Sequence, residues 1–160
     1  MILSTHAIVS GALASLFPSH PVIIIAAGFA SHFAIDAIPH WDYPLRSISV
    51  GPGPRRRLRL DGALLRDLAL IGIDAEVGLA LAVGLFATPA TVAAILLGAS
   101  AAMLPDPLQV LHTLYPREPL NSWQRFHRWI HTKRQLHGSI GVVSQVLFGT
   151  LVVGIADMIR

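Results

Sequence analysis

Ser31-His32-Phe33-Ala34-Ile35-Asp36-Ala37-Ile38-Pro39-His40-Trp41-Asp42 closes an apolar run that extends from Pro21 to Ala30. The run reads as part of a membrane helix. The stretch places His32 and Asp36 four residues apart in it, with His40 four further on. Residues at i and i+4 stack on one helical face, about 5–6 Å apart at Cβ, a workable separation for one metal ion held by two side chains. Pro39 predicts the helix end, because proline disfavours helical geometry in the residue before it. His40 and Asp42 are then expected at or just beyond a membrane surface. Imidazole and carboxylate groups are costly in an apolar membrane helix, so their default reading is functional.

The rest of the composition agrees with a membrane setting. Of 160 residues, 53% are hydrophobic and only 13% charged, with a mean hydropathy of +0.60. Soluble domains carry about 25% charged residues. The absence of cysteine excludes disulfides and thiolate zinc sites, so a metal would have to be held by His, Asp or Glu. There are 8 histidines, many for so apolar a chain. The net charge of +3 comes from local arginine clusters, which read as membrane anchors and do not imply nucleic acid.

Outward from the opening stretch, the pattern predicts one all-α, membrane-embedded domain over 1–160. Five transmembrane helices are expected at about 2–17, 21–38, 63–86, 90–104 and 138–159. No basic segment precedes the first apolar run, so it is read as a structural helix and not as a cleaved leader. Its small residues (Ser10, Gly11, Ala12, Ala14, Ser15) suit close helix packing. A polar connection spans 42–61 and holds the basic run Arg55-Arg56-Arg57-Leu58-Arg59. The segment 106–135 is polar and aromatic. Within it Asn121 or Ser122 would cap a short amphipathic, interfacial helix running to about Arg134, with His127 and His131 on one face. Asp67, Asp74 and Glu76 lie within the third helix. Asp67 and Asp74 share a face, and each reads either as a proton relay or as a packing hydrogen bond.

Ten of the 12 Lys and Arg residues fall in the connections after helices two and four, and the two other turns have none. By the positive-inside tendency the basic side is cytoplasmic, in an inner cell membrane. Seven of the eight histidines fall on that same side, together with Asp36, Asp42 and Asp106; only His20 does not. A His/Asp set without Cys suits a divalent transition metal, Zn²⁺ foremost, with Mn²⁺ or Fe²⁺ as alternatives. One such ion or two could activate water against an ester or phosphoester. His127 and His131 have the spacing of a zinc helix, but position 128 is Arg where H-E-x-x-H needs Glu. Arg128, Lys133 and Arg134 suit an anionic substrate, with a lipid headgroup as one candidate.

Thr5-His6, Ser31-His32-x-x-x-Asp36-x-x-Pro39-His40-x-Asp42, Leu104-Pro105-Asp106 and His127-x-x-x-His131 together resemble the YdjM-like (DUF457) family of membrane-bound metal-dependent hydrolases. The resemblance implies a small multi-span protein and metal-dependent hydrolysis, and names no substrate. The expected metal ligands are His6, His32, Asp36, Asp106 and His131. His40, Asp42 and His127 are expected in general acid/base, supporting or second-metal roles, with Asp42 and Asp106 also as acceptors that fix histidine tautomers. Two non-enzymatic alternatives are a metal transporter or sensor, and a structural factor whose metal only staples the helices.

Overall fold

A computed structural model describes residues 1–48 and 60–159. The basic run Arg55–Arg59 lies outside the described residues. The described chain is an all-helical bundle of seven helices: α1 (Leu3–Leu16), α2 (Pro21–Asp36), α3 (Gly62–Phe86), α4 (Val92–Met103), α5 (Pro105–Leu114), α6 (Leu120–Ile130) and α7 (Gly138–Ile159).

Helix α1 is the hub. It packs against α2, α3, α4 and α7, and ten of its 14 residues are buried. Its small side chains let the neighbouring backbones come close. A Cβ on Gly78 of α3 would lie 2.5 Å from Ser4 Cα, and one on Gly28 of α2 would lie 2.7 Å from the Gly98 carbonyl oxygen of α4. Ser10 Oγ donates to that same carbonyl at 2.7 Å. Such contacts are the packing mode of helices that cannot rely on expelling water between them.

Two helices, α3 and α7, are long and apolar enough to cross a membrane, and the α4–α5 pair makes a third if its 42° bend is counted within one span. Five spans are expected from the sequence; among the described residues two or three meet this length and apolarity. At about 1.5 Å per residue, α1 and α2 reach about 21 and 24 Å, short of a hydrocarbon core of about 30 Å. The apolar character of α1 serves burial inside the bundle. In contrast, α3 and α7 present Leu65, Ile73, Ile140, Val143, Leu147 and Leu151 outward, each more than half exposed. Soluble proteins rarely leave so continuous an apolar face uncovered.

Helix α5 was not expected. Pro105 ends α4 by removing a backbone donor, yet it occupies the first turn of α5, where that donor has no partner to lose. Helix α6 stops at Ile130, short of the expected Arg134. It starts behind Pro119 without a side-chain cap, and Glu118 takes the Ser122 N–H at 3.1 Å instead.

The acids of α3 are structural hydrogen-bond acceptors. Asp67 Oδ2 takes the backbone N–H groups of Arg46 and Ser47 at 2.8 and 2.7 Å and anchors the loop after α2. Asp74 Oδ2 takes the Ser4 N–H at 3.0 Å, at the positive end of α1, and also the Tyr43 hydroxyl. Burial and that carboxylate push the Tyr43 phenol up, so it remains a donor. Glu76 is exposed.

Candidate metal centre

Four helices and two connecting segments bring the site together. Helix α1 supplies His6, α2 supplies His32 and Asp36, the first turn of α5 supplies Asp106, and α6 supplies His127. His40 and Asp42 follow the end of α2. His131 opens an extended strap that runs beside residues 36–42. Thr132 N–H donates to the Asp36 carbonyl and Leu136 N–H to the His40 carbonyl, each at 2.8 Å. Gln135 Nε2 donates to Asp42 Oδ2 at 3.0 Å.

Backbone carbonyls set three of the rings. His32 Nδ1 lies 2.9 Å from Ala102 O, His40 Nδ1 2.7 Å from Ile38 O, and His131 Nδ1 3.0 Å from Thr132 O. A carbonyl only accepts, so each Nδ1 carries hydrogen, and in the neutral ring each Nε2 presents a lone pair. Burial pushes the His131 imidazole below its ordinary value, which favours that neutral form. The sequence reading had given this fixing role to Asp42 and Asp106. Carbonyls freed by the ends of α2, α4 and α6 take it instead.

The Nε2 atoms face carboxylates, and that of His40 also faces the Met1 ammonium. His32 Nε2 lies 3.2 Å from Asp36 Oδ2, 3.8 Å from Asp106 Oδ1 and 3.0 Å from His127 Nε2, and His127 Nε2 lies 3.5 Å from Asp36 Oδ2. For an ion bonded at about 2.0–2.1 Å, the edges of a tetrahedral ligand set are about 3.3–3.4 Å. The separations among His32, Asp36, Asp106 and His127 scatter around that value. Asp36 Oδ2 is buried and makes no aligned hydrogen bond despite these short approaches. A hydrogen on His127 Nε2 would satisfy the His32 contact but would leave Asp36 Oδ2 unmatched. A cation at the centre satisfies all four atoms at once. The residues present thus fit a metal ion.

A second group adjoins the first. Asp36, His40 and His131 also converge: both Nε2 atoms lie 3.9 Å from Asp36 oxygens, and Asp42 lies 3.0 Å from His40 and 3.7 Å from His131. The Met1 ammonium is held at this end, 2.7 Å from Asp36 Oδ1, 2.8 Å from His40 Nε2 and 3.0 Å from Asp42 Oδ1. The cluster has a buried side and a partly exposed rim. His6, His32, His40, His127 and Asp36 are buried, whereas Asp42 and Asp106 are each 30% exposed and His131 is 23% exposed.

The structure groups several expected residues differently from the sequence expectation. His127, expected in an acid/base, supporting or second-metal role, converges with His32, Asp36 and Asp106. His131, expected beside His32, sits with His40 (ring centroids 4.8 Å apart), because α6 ends before it and the strap turns it that way. His6 belongs to neither converging group. Its Nε2 lies 3.2 Å from Asp36 Oδ1 and its ring stacks on His32 at 4.1 Å, so it backs the centre. His112 bonds Asn121 across α5 and α6 at 2.9 Å, and His20 and His137 are exposed. Two glutamines had escaped notice. Gln109 Nε2 donates to Asp106 Oδ1 at 3.0 Å, and buried Gln124 Nε2 donates to Gln109 Oε1 at 3.2 Å. The i, i+3 spacing of Asp106 and Gln109 was the available signal, hidden because α5 was not read as a helix.

Comparison with family models, with characterised proteins and with solved structures finds no match.

Proposed function

We propose that this chain is a membrane-bound, metal-dependent hydrolase that cleaves an anionic ester or phosphoester at the His/Asp centre. The observation that carries this reading is the set of carbonyl-locked Nε2 lone pairs facing a buried, unmatched Asp36 oxygen in a cluster exposed on one side. A bound divalent ion supplies a Lewis acid for the scissile group and lowers the pKa of water to about 7. The chain's own residues do the rest. The buried wall fixes the ligand geometry. Asp42, at the rim, takes the proton of the attacking water as its oxygen bonds to phosphorus or the acyl carbon. The bond to the leaving oxygen breaks, and that oxygen takes up a proton at the open rim. Lys133 and Arg134 are exposed on the strap between its two anchoring hydrogen bonds, and they favour a negatively charged substrate.

The outward apolar faces of α3 and α7 support bilayer insertion. The basic residues flanking the site support a cytoplasmic orientation, through the positive-inside tendency. The resemblance to the YdjM-like hydrolases adds the same reaction class and rests on the motif residues alone. The group of Asp36, His40 and His131 offers only three side chains beside an open rim, which argues against a metal that only staples helices, since structural sites are closed by four protein ligands. A transporter needs ligands continuing through the bundle. The core beyond His6 is instead apolar, formed by Ala7, Ala12, Ala14, Ile24, Ile95 and Ala99.

The test is hydrolysis of chromogenic phosphodiester and carboxyester probes by detergent-purified protein. Activity should disappear with a chelator, return with Zn²⁺ or Mn²⁺, and be absent in Asp36→Ala. A protein that binds metal but turns over neither class of probe would contradict the hydrolase reading.

A further inference from the structure

We infer that the centre is built for two divalent ions, bridged by the two oxygens of Asp36. This rests on the metal-centre reading above and extends it from one ion to a pair. The two oxygens face different partners. Oδ2 lies 3.2 and 3.5 Å from His32 and His127 and 3.9 Å from His131 Nε2, while Oδ1 lies 2.7 Å from the Met1 ammonium, 3.2 Å from His6 Nε2 and 3.9 Å from His40 Nε2. A single tetrahedral ion is saturated by His32, His127, Asp106 and Asp36. His40 and His131 then lie outside that ligand set, facing Asp36 and Asp42, with the Met1 ammonium 2.8 Å from His40 Nε2. The ammonium at that end shows the arrangement accepting a cation, held by one imidazole and two carboxylates. A divalent ion there would displace it and take His40, His131 and Asp36 Oδ1, leaving a coordination position toward the rim.

Charge balance points the same way. Three carboxylates, Asp36, Asp42 and Asp106, meet in this pocket. With neutral imidazoles and the Met1 ammonium in place, one divalent ion leaves the centre about neutral; two ions with the ammonium displaced leave it at about +1, which attracts an anionic substrate. Two ions about 3.5–4 Å apart can contact both the attacking and the leaving oxygen of a displacement. A carboxylate bridging through both oxygens is compatible with that spacing.

The experiment is metal content per chain of the full-length, detergent-purified protein after loading with Mn²⁺ and removal of excess, joined to electron paramagnetic resonance of the same samples. Wild type should hold about two ions and give the spectrum of an exchange-coupled Mn²⁺ pair. His40→Gln and His131→Gln should each drop to about one ion and give the six-line spectrum of isolated Mn²⁺. One ion per wild-type chain with an isolated spectrum, unchanged by His40→Gln and lost in His32→Gln, would overturn the pair and leave the single-ion reading standing. No bound ion in folded wild type would overturn both. Where a variant fails to fold, the wild-type spectrum alone decides between pair and single ion.

Discussion

The wall of the site and its rim are built from the same residue types but by different means. The wall side chains, His32, Asp36 and His127, stand on α2 and α6 and are fully enclosed. The rim side chains Asp42 and His131 stand on two extended segments tied together by three hydrogen bonds, and Asp106 opens a helix. Under the proposed function, the difference teaches where binding and turnover would separate. Groups locked on helices hold geometry, and groups on tied loops can meet water and substrate.

Substitutions can break or sharpen that contrast. The largest effect is expected for Asp36→Ala, which removes the one carboxylate shared by both ligand groups. It should abolish both metal content and hydrolysis while far-UV circular dichroism stays helical. Next, Asp42→Asn should retain metal but lower kcat by about 10²–10⁴-fold, the range for losing a positioned proton acceptor. If metal is lost in proportion to activity, Asp42 belongs with the wall. Gln109→Ala leaves Asp106 in place without its orienting donor. It should weaken metal binding by about 10–100-fold, as removal of such supporting partners does, read by competition with a chelating dye. The smallest effect is expected for Lys133→Ala with Arg134→Ala. KM for a phosphodiester should rise a few-fold at low salt with kcat unchanged, and the difference should shrink as ionic strength rises. A packing counterpart is Gly78→Leu. The new side chain would meet the α1 backbone at Ser4, and overpacking of about 1–3 kcal/mol or more should lower Tm. A comparable change at outward-facing Leu147→Ala should leave Tm nearly unchanged.

Much of this was legible in the chain. Apolar runs located the long helices to within about two residues, and the 31–42 stretch pointed to Asp36 with histidines on either side. The number of spans was less legible, because apolarity does not distinguish a helix buried in protein from one facing lipid. Residue size does: α1 is small and enclosed, whereas α7 is large-branched and exposed. Helix α5 was hidden because a proline that stops one helix also starts another. The strap was invisible for a different reason. Its bonds to residues 36 and 40 join positions about a hundred apart in the chain, and nothing local in Thr132-Lys133-Arg134-Gln135 announces them. The exchange of His127 and His131 between the two groups follows from that one unforeseen pairing.

X-ray absorption at the zinc edge of Zn²⁺-loaded wild-type protein tests the central claim most directly. The centre predicts bound zinc with only nitrogen and oxygen neighbours at about 2.0–2.2 Å, with outer-ring scattering from at least two imidazoles, lost in His32→Ala with His127→Ala. Protein that takes up no zinc, or zinc bound without imidazole scattering, would contradict it and leave the His/Asp cluster as a hydrogen-bonded network within the bundle.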